Sequence, residues 1–252
     1  MLNNCDPSEG DSKEPCSSCP VAAGQFYVQA GTEIHERVEA CRIATRHARR
    51  RERIVDPRED AARIHVMRSG WAYSYSQFPD GRRQIYDFFL PGDVIDPDPP
   101  AGRALQPEVR TLTPAQVCVF DRSAATDCVC QVAALRLEAW RLMARRHRRS
   151  MRRILGAAAL NAEEAVAALI LELGHRMARQ SGRQDMDMEF PLRLADIADC
   201  LGITEVHAGR VMRALDRREI LTRRPGKRLE FNIATLRAKA GPYGGEGLEV
   251  PD

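Results

Sequence analysis

The chain has 252 residues, 44% hydrophobic and 29% charged, with a formal net charge of +3. That is the composition of a soluble globular protein, long enough for two cores, since domains hold about 100–200 residues. The longest apolar run, around Ala165–Leu173, contains Glu172 and falls far short of the roughly 20 residues that span a bilayer, which argues against a membrane partner. The opening residues "MLNNCDPSEGDSKEPC" carry no charged-then-apolar leader, so a cytoplasmic location is expected. Eight cysteines stand at positions 5, 16, 19, 41, 118, 128, 130 and 200. In a reducing compartment these are core residues, metal ligands or redox groups more often than structural disulfides.

Residues 1–30 are rich in Ser, Pro, Asp and Glu and read as an irregular, Cys-containing arm. A short helix is expected around Thr32–Cys41. From about Ile43 to Arg122 short strand-like runs are broken by turns, with "PDG" between two alternating runs marking a hairpin. Such spacing predicts a small antiparallel barrel or jelly roll over residues 31–130. "DPDPPAGRALQPE" reads as a loop, and the acidic Asp93, Asp96 and Asp98 within and beside it read as a loop tip rather than a metal site.

From Gln131 the texture is helical. Ala133, Leu137, Trp140, Ala144, His147, Met151, Ile154 and Ala158 recur four and three apart, the seam of a coiled coil that needs a partner. The same segment, 131–160, carries eight arginines. These form a solvated face around the seam, relieved by acidic groups of the other domain or by phosphates. A fresh helix follows, with Asn161 as N-cap and acidic residues in its first turn.

The most specific signal is "LADIADCLGITEVHAGRVMRAL", Leu194–Leu215. Ile197, Ala198 and Leu201 make an apolar stripe, Gly202 suits the left-handed residue that ends a helix, and Thr204 can cap a second helix burying Ala208, Val211 and Leu215. Two short helices about a Gly turn form a helix-turn-helix, although any corner between helices can show such a turn. The flank "LDRREILTRRPGKRLEFNI" adds a hairpin with "PGK" at its tip, a wing. Thr204 to Glu230 holds eight Lys/Arg against four Asp/Glu, so positive charge is concentrated where phosphates would lie.

"RSGWAYSYSQFPDGRRQIYDFFLPGDVI", the seam helix and the Leu194–Leu215 stretch occur in the order found in the CRP/FNR family of bacterial transcription regulators, which the chain resembles from about Ile43 to Ala240. The resemblance implies an α+β fold: a cyclic-nucleotide-binding-like β-roll, a long dimerisation helix, a winged helix-turn-helix over 161–240 and a tail over 241–252. It further implies a homodimer on double-stranded DNA with a two-fold-symmetric operator, working with RNA polymerase. By position, Arg210 matches the family's base- and phosphate-contacting arginine. Val206 stands where many members carry glutamate, and Gly209 where the FNR branch has serine. "TEVHAGR" resembles a VHxxR branch instead. The candidate DNA-binding residues are therefore Thr204, Glu205, His207, Gly209, Arg210 and Arg213.

For the signal, the same resemblance argues against cyclic AMP. Pro97 occupies the ribose-holding glutamate position, and Leu105 and Gln106 occupy the phosphate-holding Arg-Ser pair, leaving the phosphate charge uncompensated. FNR-like members hold an iron–sulfur cluster. Cys16 and Cys19 in "CSSC" match the family's first pair and Cys118 its last ligand, while the third cysteine is missing from "PVAAGQFYV" and would come from Cys5 or Cys41. Four thiolates suit a [4Fe–4S] cluster. The alternative is the same regulator without a cluster, sensing through thiols, zinc, haem or another small ligand. Cys128, Cys130 and Cys200 read as structural. No Gly-rich phosphate loop, nucleophile elbow or HExxH is present, so no enzyme is expected.

Overall fold

The computed structural model describes residues 32–56, 60–95, 107–181 and 187–241. In chain order these are α1 (Thr32–Ala40), β1 (Arg42–Ala48), β2 (Arg53–Val55), β3 (Arg63–Ser69), β4 (Ala72–Gln77), β5 (Arg83–Phe89), β6 (Val94–Ile95), β7 (Glu108–Thr111) and β8 (Ala115–Asp121). There follow α2 (Arg122–Gln131), α3 (Ala133–Ala159), α4 (Ala162–Ser181), β9 (Asp187–Glu189), α5 (Leu194–Leu201), α6 (Glu205–Arg217), β10 (Leu221–Arg224), β11 (Arg228–Phe231) and α7 (Ile233–Lys239). The contacts group them into two compact units. One comprises the chain up to Ala72 and Phe89–Trp140; the other comprises Tyr73–Phe88 and the chain from Arg141.

In the first unit an antiparallel sheet runs β1-β8-β3-β6, and β2 pairs with β7. Alternation along β8 sets its two faces. Ala115 and Val117 join a cluster with Ile54, Met67, Phe89 and Ile95. Cys118 and Phe120 face the other way, packed with Val38 of α1, Cys41 and Leu135. Gly70, with φ +78°, makes the tight turn out of β3. The helix α2 was not expected from "RSAATDCVCQ", which has no clear apolar period. Its cause is local and tertiary together: Asp121 accepts the Ala124 N–H at 2.9 Å as N-cap, and Ala124, Ala125, Cys128 and Val129 pack on the cluster around Cys118.

The second unit holds the β4–β5 hairpin, which turns at the "PDG" predicted for it. There Phe78 N–H donates to the Arg82 carbonyl and Gly81 takes φ +85°. Asn161 caps α4 as expected, accepting from the Glu163 and Glu164 N–H groups, and the Glu164 carboxylate accepts the Asn161 N–H in return. Val166, Ala167, Ile170, Leu171 and Leu173 of α4 are buried. The wing is a sheet of order β10-β11-β9, one strand more than the sequence reading assigned.

The seam residues of α3 lie in water in the single chain. Trp140 is 75% exposed and Ile154 61%, Leu137 and Met151 are exposed as well, and so is Met143 beside the seam. An apolar stripe left open forgoes about 25 cal/mol for each Å² that a partner could cover.

Candidate nucleic-acid interface

The α5–α6 pair is built by local rules. Arg193 N–H donates to Asp196 at the start of α5. Gly202 ends that helix with φ +69°, and its N–H bonds to the Ala198 carbonyl. Thr204 then opens α6, its Oγ1 accepting the His207 N–H at 3.2 Å. Ile197 and Ala198 from α5 and Ala208, Val211, Met212 and Leu215 from α6 are buried, so the two helices hold one another through apolar contact.

The opposite face of α6 is open. Thr204, Glu205, His207, Arg210 and Arg213 are all exposed, on one end and one side of the helix. Two residues join them that the sequence reading left out of its candidates. Val206 is 65% exposed beside Glu205, and Arg217 continues the arginine row one turn beyond Arg213. The three-and-four spacing of Arg210, Arg213 and Arg217 was the available signal for the last. Together with Asn161, His207 and Asp216 these arginines line an open groove of about 950 Å³. In the wing Arg223, Arg224, Lys227 and Arg228 are exposed, with Arg224 paired to Glu230 at 2.7 Å.

Gly209 corrects one expectation. It is buried on the α5 side of α6, and a Cβ there would stand 3.3 Å from Leu194 Cδ1. Its place on the helix lets α5 and α6 approach closely; it does not face the groove.

The cysteines divide differently. Cys5, Cys16 and Cys19 lie outside the described residues. Cys118 is 7% exposed, on the face of β8 packed against α1, Cys41 and α2. Cys41 sits in the same cluster, its Sγ donating to the Arg37 carbonyl at 3.3 Å. Burial, then the adjacent Cys128 thiol, pushes the Cys41 pKa up and holds it protonated. Among the described residues no group of three or more His, Cys, Asp or Glu side chains has a metal-holding arrangement. Cys130 is exposed. Cys200 is buried, and burial raises its pKa to about 11 against the opposing charge of Arg153, as for an inert core thiol. Asp93 is buried, its carboxylate accepting the Leu90 N–H at 2.6 Å inside a turn, while Asp96 and Asp98 lie outside the described residues.

Residues 164–238 match the model of the Crp-like helix-turn-helix domain, and residues 45–131 that of the cyclic nucleotide-binding domain. The chain is 28% identical over 159 residues to the fumarate and nitrate reduction regulatory protein of Yersinia pestis, a match covering 63% of each chain and so less than two thirds of that relative's length. It is 27% identical to the transcriptional activatory protein AadR of Rhodopseudomonas palustris, over 81% of this chain and 83% of that one. The solved structure of FixK2 from Bradyrhizobium japonicum superposes with a TM-score of 0.68 at 25% identity, covering 77% of this chain and 96% of that chain.

Proposed function

The chain belongs to the CRP/FNR family of transcription regulators, and we propose that it is a redox- or oxygen-responsive member reading a two-fold-symmetric operator as a homodimer. Its helix-turn-helix binds DNA, and regulators of this family act as dimers. The observation that carries the proposal is the Thr204-capped helix α6, whose open face presents Glu205, His207, Arg210 and Arg213. An arginine can fork onto guanine O6 and N7, and a glutamate can accept from cytosine N4. The arginines of the row and the wing also neutralise phosphates, so binding should weaken steeply with salt. The exposed stripe of α3, from Leu137 to Ile154, supports a second copy of the chain as its cover, which would set two α6 helices about one DNA turn apart. RNA polymerase is the partner such a regulator would address. No helix among the described residues is long and apolar enough to cross a membrane.

For the signal, relatives named as fumarate and nitrate reduction regulators support a redox input. The residues that would hold a [4Fe–4S] cluster are Cys16, Cys19, Cys118 and Cys5. Cys118 faces α1, which begins at Thr32, and the thirteen residue-to-residue steps from Cys19 to Thr32 can span roughly 40 Å, ample to bring the "CSSC" pair alongside. Cys41 packs in the same cluster as Cys118, its Sγ donating to the Arg37 carbonyl, and stands as the alternative to Cys5. When bound, such a cluster supplies an oxygen-labile redox centre. Among the described residues, Cys118 offers one sulfur to it from the rigid β8. No cyclic AMP is expected on the sequence at Pro97, Leu105 and Gln106, which lie outside the described residues. The second reading is the same DNA-binding regulator without a cluster, sensing through thiols, zinc, haem or another small ligand.

Two measurements test these readings. Mobility shift against duplexes selected from a random pool should find a preferred sequence whose binding Arg210→Ala abolishes; unchanged affinity would remove α6 from the interface. Iron and acid-labile sulfide on protein purified without air should give about four of each per monomer, lost in Cys118→Ser. Absence of both would rule out the cluster and leave thiols, zinc or another small ligand as the sensor.

A further inference from the structure

Strand β5 aims one guanidinium at the first helix of the DNA-reading pair. Arg83 Nε donates to Asp199 Oδ2 at 2.7 Å and Nη2 to Asp196 Oδ1 at 2.8 Å, while Nη1 donates to the Tyr73 hydroxyl at 2.9 Å. The guanidinium carbon also lies 5.0 Å from the Tyr73 ring centroid, so a ring of the same hairpin backs the fork. Gln84 adds a bond from its Nε2 to the Cys200 carbonyl at 3.3 Å. Asp196, Asp199 and Cys200 are spaced three and four apart, one side of α5. Asp196 is 1% exposed and spends its other oxygen on the Arg193 N–H, so it has no freedom to follow a moving partner.

Four residues further along the same strand, and therefore on the same face of it, Asp87 takes Arg153 and Arg149 of α3. One strand thus grips the helix with the exposed seam through Asp87 and the helix packed on α6 through Arg83. All of these residues lie in the second compact unit. A charged fork shared between two carboxylates is directional, unlike the apolar contacts elsewhere in the unit.

We infer that Arg83 is a positioning residue for operator recognition: it touches no DNA, and fixes the angle at which α5, and with it α6, is presented relative to α3. The inference rests on the DNA-binding reading above. A positioning role has a signature that a stability role lacks. Binding to a full operator needs both α6 helices placed at once, whereas binding to a single half-site needs only one intact α6.

The test uses the full chain and a duplex selected by the wild-type protein from a random pool, alongside a duplex carrying only one half of it. Arg83→Gln is expected to weaken binding to the full duplex by about tenfold, and binding to the half duplex by less than about twofold. Arg83→Lys, which keeps the charge but loses the fork, should fall between. Equal losses on both duplexes, accompanied by a lower melting temperature, would reduce Arg83 to a structural contact and overturn the inference. Unchanged binding to both would overturn it as well. Arg210→Ala, run beside these, separates the two failures: should it bind both duplexes like wild type, α6 is not the helix that reads the operator, and the premise has failed rather than the role of Arg83.

Discussion

Arg153 of α3 meets Asp87 of β5 at 2.8 Å, and around this pair Arg149 approaches the same carboxylate at 3.3 Å, Arg176 at 3.9 Å, with Glu172 completing the cluster. The five side chains are 11–16% exposed, so their charges are little screened. The arginine-rich face of α3 is accordingly not all solvated: part of it is neutralised by an acidic strand residue more than sixty positions earlier in the chain.

Asp87→Asn should therefore destabilise strongly, by about 3–5 kcal/mol, because it leaves Glu172 alone against three little-exposed guanidiniums. Burial opposes ionisation of Asp87, but Arg153, Arg149 and Arg176 outweigh it and hold its pKa well below the carboxylate range. A depressed folded pKa adds stability above the unfolded value, about 3.9, that is lost as pH falls from there toward the folded pKa. Urea midpoints from pH 7 down to pH 3 should drop more steeply for wild type than for Asp87→Asn.

His65 gives the opposite residue type and the same sign. It is buried on β3, and Nδ1 has no hydrogen-bond partner among the described residues. Burial lowers its pKa from 6.5 to about 4 against the pull of Asp60, and Arg46, Arg63 and Arg122 add to the lowering. Between those values the unfolded chain binds the proton and the folded chain does not, so stability rises with pH through that window, by at most roughly 1.4 kcal/mol per pH unit. In His65→Leu this contribution should vanish from denaturation curves taken at pH 5 and pH 7.

Gly70→Ala should fold poorly. A Cβ at this position would stand 2.3 Å from the Pro114 carbonyl oxygen and 2.8 Å from Ala115 Cα, at a φ of +78°. Neither neighbour is a flexible side-chain end, so backbone must move, at a cost of about 3 kcal/mol. A melting curve that matches wild type would show that the β3–β4 turn has room the structure does not reveal.

Thr204→Ala and Arg210→Ala should separate folding from recognition. Loss of the cap that receives the His207 N–H costs about 1 kcal/mol of stability. Arg210 is exposed, so its removal should change stability by less than about 0.5 kcal/mol. It should nonetheless abolish operator binding and, if its contact is to phosphate, lower the salt slope of any residual DNA binding by about one. Fluorescence anisotropy across a salt series, with a parallel melt, reads both effects.

Local rules carried much of the site. The Thr204 cap, the Gly202 turn and the apolar stripe of α6 each depend on residues within four positions of one another, and each stands where the sequence placed it. The "PDG" hairpin and the "PGK" wing tip are legible for the same reason: a turn is specified by its own φ requirements, met here by Gly81 and Gly226. Helix α2 escaped because its stabilising contacts come from α1 and β8 rather than from its own periodicity. Gly209 was misjudged because alignment to a family position says nothing about which way the helix faces; only the approach of Leu194 decides that.

What the sequence determined by itself is the capped helices and turn-bounded hairpins, α2 and β9 excepted, and the chemistry that the exposed face of α6 offers to DNA. What only the tertiary structure decided is the choice of partners: Arg83 for Asp196, 113 positions away, Asp87 for Arg153, and Cys41 beside Cys118 and Cys128. Helix caps, tight turns and side-chain period act over a few consecutive residues, so they can be read in order. A buried charge, by contrast, is satisfied by whichever opposite group the packing brings within 3 Å, and packing is a property of the whole unit.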